Sequence, residues 1–211
     1  MRTIKVIGAL IVATCFWGCV NSSQDHLAPL TPMLPQESPV AIVATDNRPQ
    51  TEIEKTPSGE YLYSGALFAI EGNEKTVATD IANIVHFYGG AKHAYPTTAI
   101  PETGPAILFE INHWYSRTLI NPEKAPLVVT GHYAGVLKMY YDGKVVATEN
   151  VEADGETSII DTYIVFEKEK EETPKLIWDA MLHTANSAQQ NGYVAIHAAL
   201  LKNWTRFNDN Y

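Results

Sequence analysis

From Ala106 to Arg117 the chain alternates, with Ile107, Phe109, Ile111, His113 and Tyr115 on one side and Leu108, Glu110, Asn112 and Trp114 on the other. A period of two over this length predicts a strand. Leu127 to Tyr141 repeats the pattern, placing Val129, Gly131, Tyr133, Gly135, Leu137 and Met139 on one face. Asp142-Gly143 then supplies the two positive-φ residues of a type I′ hairpin turn. The turn sets Tyr141 opposite Lys144 and Met139 opposite Val146, on a return strand near 144–152. After a turn at Asp154-Gly155, Ile159 to Phe166 predicts the last strand of this meander.

Upstream, Val40-Ala41-Ile42-Val43-Ala44 is a short apolar run closed by the turn residues Asp46-Asn47-Arg48-Pro49, and Tyr61 to Ile70 is a second β-rich run interrupted by Gly65. Between them and the meander, Val77, Ile81, Ile84, Val85 and Tyr88 recur at three- and four-residue steps, which predicts a helix ended by Gly89-Gly90. Thr173-Pro174 opens a second helix with Ile177, Trp178, Met181, Ala185 and Ala188 on one stripe up to Asn191-Gly192. A third is expected from Tyr193 to Phe207, with Tyr193, Ile196, His197, Leu200 and Trp204 on one face. The order β-β-α-β-β-β-α-α predicts an α+β two-layer sandwich, a mostly antiparallel sheet with helices on one face.

The amino-terminal end follows another logic. Met1 to Lys5 is a short cationic stretch, and Val6 to Thr14 is an apolar run of signal-peptide length, too short for a bilayer that needs about 20 residues. Phe16-Trp17-Gly18-Cys19 follows. It resembles the lipobox of bacterial lipoproteins, in which the cysteine is acylated and becomes the new amino terminus. Gly18 suits that pattern, while Phe16 and Trp17 depart from it. Cys15 is the alternative acceptor, with Thr14 at the cleavage position. The expectation is a signal peptide over 1–18, a lipidated Cys19 carrying palmitate-type chains, a Pro-rich tether over 19–39 and a single periplasmic α+β domain over 40–211. By resemblance to lipoprotein sorting, Val20 in place of Asp favours the outer membrane.

Composition agrees with a globular domain that is not a nucleic-acid binder. The 211 residues are 45% hydrophobic, and Lys+Arg 15 against Asp+Glu 24 gives a net charge of −9, the wrong sign for phosphate backbones. Cleavage before Cys19 removes Arg2 and Lys5 and leaves the mature chain more acidic still, so membrane attachment falls to the lipid. With Cys15 removed and Cys19 lipidated, no disulfide forms inside the domain.

In its order of parts, the chain resembles the YajG-like family of small outer-membrane lipoproteins: lipoprotein signal, Pro-rich tether, a first strand ending in Asp46-Asn47-Arg48-Pro49, one helix, a three-strand meander and a closing helix. The resemblance implies a lipid-anchored envelope protein and transfers one functional position, Cys19. It implies no catalysis.

Candidate chemistry is sparse. There is no HExxH, GxSxG or phosphate loop, and Gly131 and Gly135 read as points of close helix packing or a bulge. The seven histidines raise metal binding, with His86 and His93 seven apart and His113 and His132 on different strands. They are expected to be structural or solvated, His197 being a hydrogen-bonded core residue. No catalytic residue, metal ligand or cofactor is expected. Trp114, Tyr115, Tyr140 and Tyr141 form the candidate partner-binding aromatics, their alternative place being a second layer of the core. Two functions fit: an accessory or assembly lipoprotein that binds an envelope protein or cell-wall polymer without catalysis, or a small-ligand or metal-binding periplasmic domain, with or without hydrolytic activity.

Overall fold

Two long strands carry the architecture. In the computed structural model, which describes residues 27–31, 39–49, 67–69, 74–119, 127–160 and 172–210, these are β4 (Pro105–Leu119) and β5 (Leu127–Tyr141), paired antiparallel along almost their whole lengths. Each has its outer edge shared by two shorter strands. β1 (Pro39–Asp46) and β2 (Leu67–Ala69) pair with successive parts of β4, while β6 (Lys144–Asp154) and β7 (Ser158–Ile160) pair with successive parts of β5. A short β3 (His93–Pro96) lies outside β1 and completes a sheet of order β3-β1-β4-β5-β6.

Helices α1 (Glu74–Gly89) and α2 (Glu172–Asn208) both cover one face, so the architecture is the expected α+β sandwich. Its sheet is mixed. β1 runs parallel to both β3 and β4, and α1 lies on the crossover from β1 to β3. Parallel strands need such a crossover, and strands inside a sheet bury both faces. Hence Val40 to Val43 are all buried, and the run shows no alternation in sequence.

Three expected features take a different form. The break at Asn191-Gly192 does not occur: α2 is one 37-residue helix. Gly192 is there because the ring of Tyr133 lies where its side chain would be. The hairpin turn is as expected, with Asp142 at φ 49° and Gly143 at φ 70°, and Tyr141 faces Lys144. Met139, however, faces Ala147 instead of Val146, because a bulge between Met139 and Tyr140 shifts the register by one. A second bulge separates Ile111 from His113 on β4. Beyond it the alternation changes phase, so Trp114, Ser116 and Thr118 are buried while His113 and Arg117 are exposed.

The main core lies between sheet and helices, built from Ile42, Ile107, Phe109, Ile111, Tyr133 and Leu137 below and Ile81, Val85, Tyr193, Ile196, Leu200 and Trp204 above. Gly131 brings α2 against β5, since a Cβ there would strike the backbone carbonyl of Thr184. This is the close packing its sequence position suggested. The core extends into the segment expected to be tether. Leu30 is 0% exposed and packs within it. Its amide donates to the Tyr88 carbonyl at 2.7 Å, and His197 Nε2 bonds the Ala28 carbonyl at 2.7 Å. Residues 27–31 therefore form a strap across the ends of α1 and α2, and the folded unit begins ahead of Val40.

The signal, Cys15, Cys19 and the runs 61–66 and 161–166 lie outside the described residues. Among the described residues, no helix is long and apolar enough to cross a membrane.

Candidate functional site

The sheet face turned away from the helices holds most of the sequence-derived candidates, in two groups. At one end, His113 and Tyr115 of β4 approach His132 of β5, with ring centroids 6.2 and 5.4 Å away. His132 Nδ1 lies 2.9 Å from Asp154 Oδ1, and its Nε2 is 3.9 Å from Glu152 Oε1. The bulge after Ile111 makes this group possible, because without it His113 and Tyr115 would point into the core. At the other end, cross-strand register sets Tyr95, Ala41, Ala106, Tyr140 and Val145 in one row, with Tyr141 at the hairpin. Ala41 and Ala106, between Tyr95 and Tyr140 in this row, are buried. Eight residues of β5 separate His132 from Tyr140, about 26 Å at strand rise.

The four candidate aromatics thus do not form one cluster. Tyr115 and Tyr140 are half-buried on the open face at different ends, and Tyr141, the next residue after Tyr140, is half-buried with the phase of Met139 on the opposite face. Trp114 is a core residue, 5% exposed, with its indole Nε1 donating to the Ala185 carbonyl at 3.0 Å and its ring edge-on to Tyr133. Between the groups, Lys138 and Glu110 form an ion pair at 2.7 Å, and hydrogen bonding to Glu110 holds the ammonium above its ordinary range.

Asp46-Asn47-Arg48 is a structural clamp. Arg48 is buried, donates through Nε and Nη2 to the two Asp46 carboxylate oxygens at 2.8 and 2.6 Å, and through Nη1 to the Trp114 carbonyl at 3.1 Å. Burial pushes the Asp46 carboxyl up, but its bonds to Arg48 outweigh this and hold it below the usual carboxylate range. The guanidinium also lies 5.8 Å from the Trp114 ring centroid. Every feature of the motif is used in joining the end of β1 to β4.

A cleft of about 430 Å³ opens beside this clamp, at the carboxyl ends of the parallel strands β1 and β3 and over the first turn of α1. Ala44, Thr45, Glu74, Lys75, Thr97 and Thr98 line it. Its size lies within the range of small-molecule sites, and its position is one where parallel sheets commonly bind ligands. One wall is already engaged, since Glu74 Oε1 accepts the Asp46 amide at 2.8 Å. Three separate segments build this cleft, so no local pattern announces it.

Two buried phenols lie on the apolar faces expected from sequence, which gives no sign of the environment of their hydroxyls. Tyr193 donates to Asp80 at 2.6 Å and accepts from Gln189 at 3.0 Å, and burial with that bond raises its phenol far above the ordinary range. Burial, reinforced by Asp80, does the same to Tyr133, whose hydroxyl has no hydrogen-bond partner. The histidines are dispersed. His197 is the expected core residue, desolvated so that its imidazolium is disfavoured. His86 bonds the Ala91 carbonyl, and His183 faces Glu156. Among the described residues, no group of three His, Cys, Asp or Glu side chains could hold a metal ion.

No protein-family model matches the chain, and no curated protein does. Among solved structures, it is similar to a Xanthomonas campestris protein of the family DUF330, at 13% identity over 82% of this chain and 91% of that one, with a TM-score of 0.31. A second, uncharacterized protein is similar at 9% identity over 79% and 95%, with a TM-score of 0.33. At these scores neither similarity extends an activity or a site to this chain.

Proposed function

We propose that the protein is a lipid-anchored accessory of the bacterial cell envelope, held at the outer membrane through Cys19 and facing the periplasm, where it binds a protein or cell-wall polymer without chemical turnover. The observation that carries this reading is the open sheet face, with half-buried aromatics at both ends and ion pairs between. Such a surface suits recognition: aromatic anchors supply area, and the paired charges fix register. The lipobox-like Gly18-Cys19 and the family resemblance support the anchor. Tethering raises the domain's effective concentration for a partner in the same compartment, so modest contacts suffice.

The test has two arms. Cys19→Ser is expected to move the protein from the membrane fraction to the soluble periplasm with the fold retained; retention in the membrane, with release by Cys15→Ser instead, would assign the lipid to Cys15. Tyr115→Ala combined with Tyr140→Ala in the anchored protein is expected to abolish capture of envelope material by affinity purification while thermal stability changes little. Undiminished capture would rule out the open face. The cleft near Glu74 favours the second reading, a small-ligand domain, and a ligand that raises the melting temperature of wild type but not of Thr45→Val would establish it.

A further inference from the structure

The strap over residues 27–31 fixes where the domain leaves its anchor. Leu30 is seated against Gly89 and the ring of Trp204, its amide is tied to Tyr88, and the Ala28 carbonyl is tied to His197. Only eight residue steps lie between Leu27 and Cys19, no more than about 27 Å fully extended. A twenty-residue tether would let the domain turn freely; this short one does not. The ends of α1 and α2 are therefore the part of the domain nearest the bilayer.

The chemistry of that end is suited to lipid. Phe87, on the last turn of α1 beside Tyr88, is 71% exposed, the most exposed large hydrophobic side chain among the described residues. Leu201 is exposed on α2 one turn beyond His197. The sequence has no carboxylate from 81 to 101 or from 180 to 208, in a chain with 24 acidic residues. Those stretches supply Lys92, Lys202 and Arg206, together with His86 and His93. Other elements bring carboxylates to this end: Glu149, which pairs with Lys202; Asp142, which accepts the Gly104 amide; and Glu102 and Asp209. Carboxylates and cations at this end are about equal in number, so it is the exposed aromatic ring of Phe87, not net charge, that suits it to a membrane interface.

We propose that this end of the domain, centred on Phe87, rests on the membrane that carries the lipid, with Phe87 in the headgroup region and the long strands standing away from the surface. This rests on lipidation at Cys19. It places Ile159, at the opposite end of β5 from the hairpin, about 40 Å from the bilayer. The open sheet face then stands across the periplasm instead of lying against the membrane.

The experiment uses the full lipidated protein in vesicles of phosphatidylethanolamine with a minor share of phosphatidylglycerol. An environment-sensitive fluorophore is attached to Phe87→Cys or to Ile159→Cys, both exposed positions whose substitution spares the core. The label at 87 is expected to shift to an apolar spectrum and to be quenched by a lipid-borne quencher, while the label at 159 stays aqueous. Protein that floats with vesicles while both labels remain aqueous would overturn the seating and leave the anchor standing. Quenching at 159 equal to that at 87 would overturn the orientation. Protein that fails to float would overturn the anchor and the seating together.

Discussion

The two faces of the β4–β5 ribbon are made from the same strands and obey different rules. On the covered face, backbone meets backbone: Gly131 admits Thr184, and Trp114 reaches the Ala185 carbonyl across the layer. On the open face, side chains meet one another, in the His132–Asp154 and Lys138–Glu110 pairs. The covered face has no freedom to exchange one residue for another, because close-packed volume and buried donors must both be matched. The open face keeps that freedom, which makes it the place where recognition can be altered without loss of the fold.

The sharpest break in this contrast is Gly131→Val. The obstacle is main chain and cannot rotate aside, so the expected loss exceeds about 3 kcal/mol and the domain is expected to lose cooperative unfolding in urea. Valine at Thr130, on the opposite face of the same strand, is expected to be tolerated within about 0.5 kcal/mol. Equal losses at 130 and 131 would erase the distinction between faces.

Trp114→Ala comes next, at about 3–4 kcal/mol, because it opens a cavity and removes the indole hydrogen bond to the Ala185 carbonyl. Denaturant unfolding of Trp114→Ala beside Tyr115→Ala compares adjacent residues on opposite faces. A larger loss at 115 would mean that the bulge does not set the phase of β4.

Leu30→Ala extends the comparison to the strap and is expected to cost about 2–3 kcal/mol. Its neighbour His197 adds a pH dependence. Burial lowers the folded-state pKa of His197 below its ordinary value, so below that value the unfolded chain takes up more protons than the folded one. Stability is therefore full above about pH 6.5 and falls as pH drops toward the folded-state pKa. The protection of the Leu30 amide, which is held by Tyr88, against hydrogen exchange relative to its intrinsic rate at each pH is expected to fall over that interval. His197→Gln should flatten the profile.

How far this division was legible in sequence depends on what each signal encodes. Strand β5 was readable to its ends, because period two and the Asp142-Gly143 turn are local properties. The Ile111–His113 bulge was not, since one inserted residue leaves the hydrophobic pattern almost unchanged while inverting every side chain after it. That is why Trp114 reads from sequence as a surface candidate beside Tyr115. Gly192 misled for a related reason: a glycine that ends a helix and one that admits a ring look alike until the partner, Tyr133, is known. Leu30 sits among prolines, where composition argues for a tether, and only the pocket at Gly89 makes it core. The cleft depends on three segments meeting and has no local signature.

The smallest expected change in stability carries the most functional weight. Tyr115 and His132 contact each other on the open face, and neither anchors the core. Tyr115→Ala is therefore expected to alter unfolding by no more than about 1 kcal/mol, the scale of a cross-strand pair. His132→Asn removes the ring facing Tyr115 and the imidazole nitrogen that lies 2.9 Å from Asp154, and its cost should be similarly small. If the open face is where an envelope partner docks, both variants lose partner capture while their melting curves overlie that of wild type. If instead both lose stability to the degree of Trp114→Ala, the open face is a second core layer, and recognition must be sought at the cleft between Thr45 and Thr97.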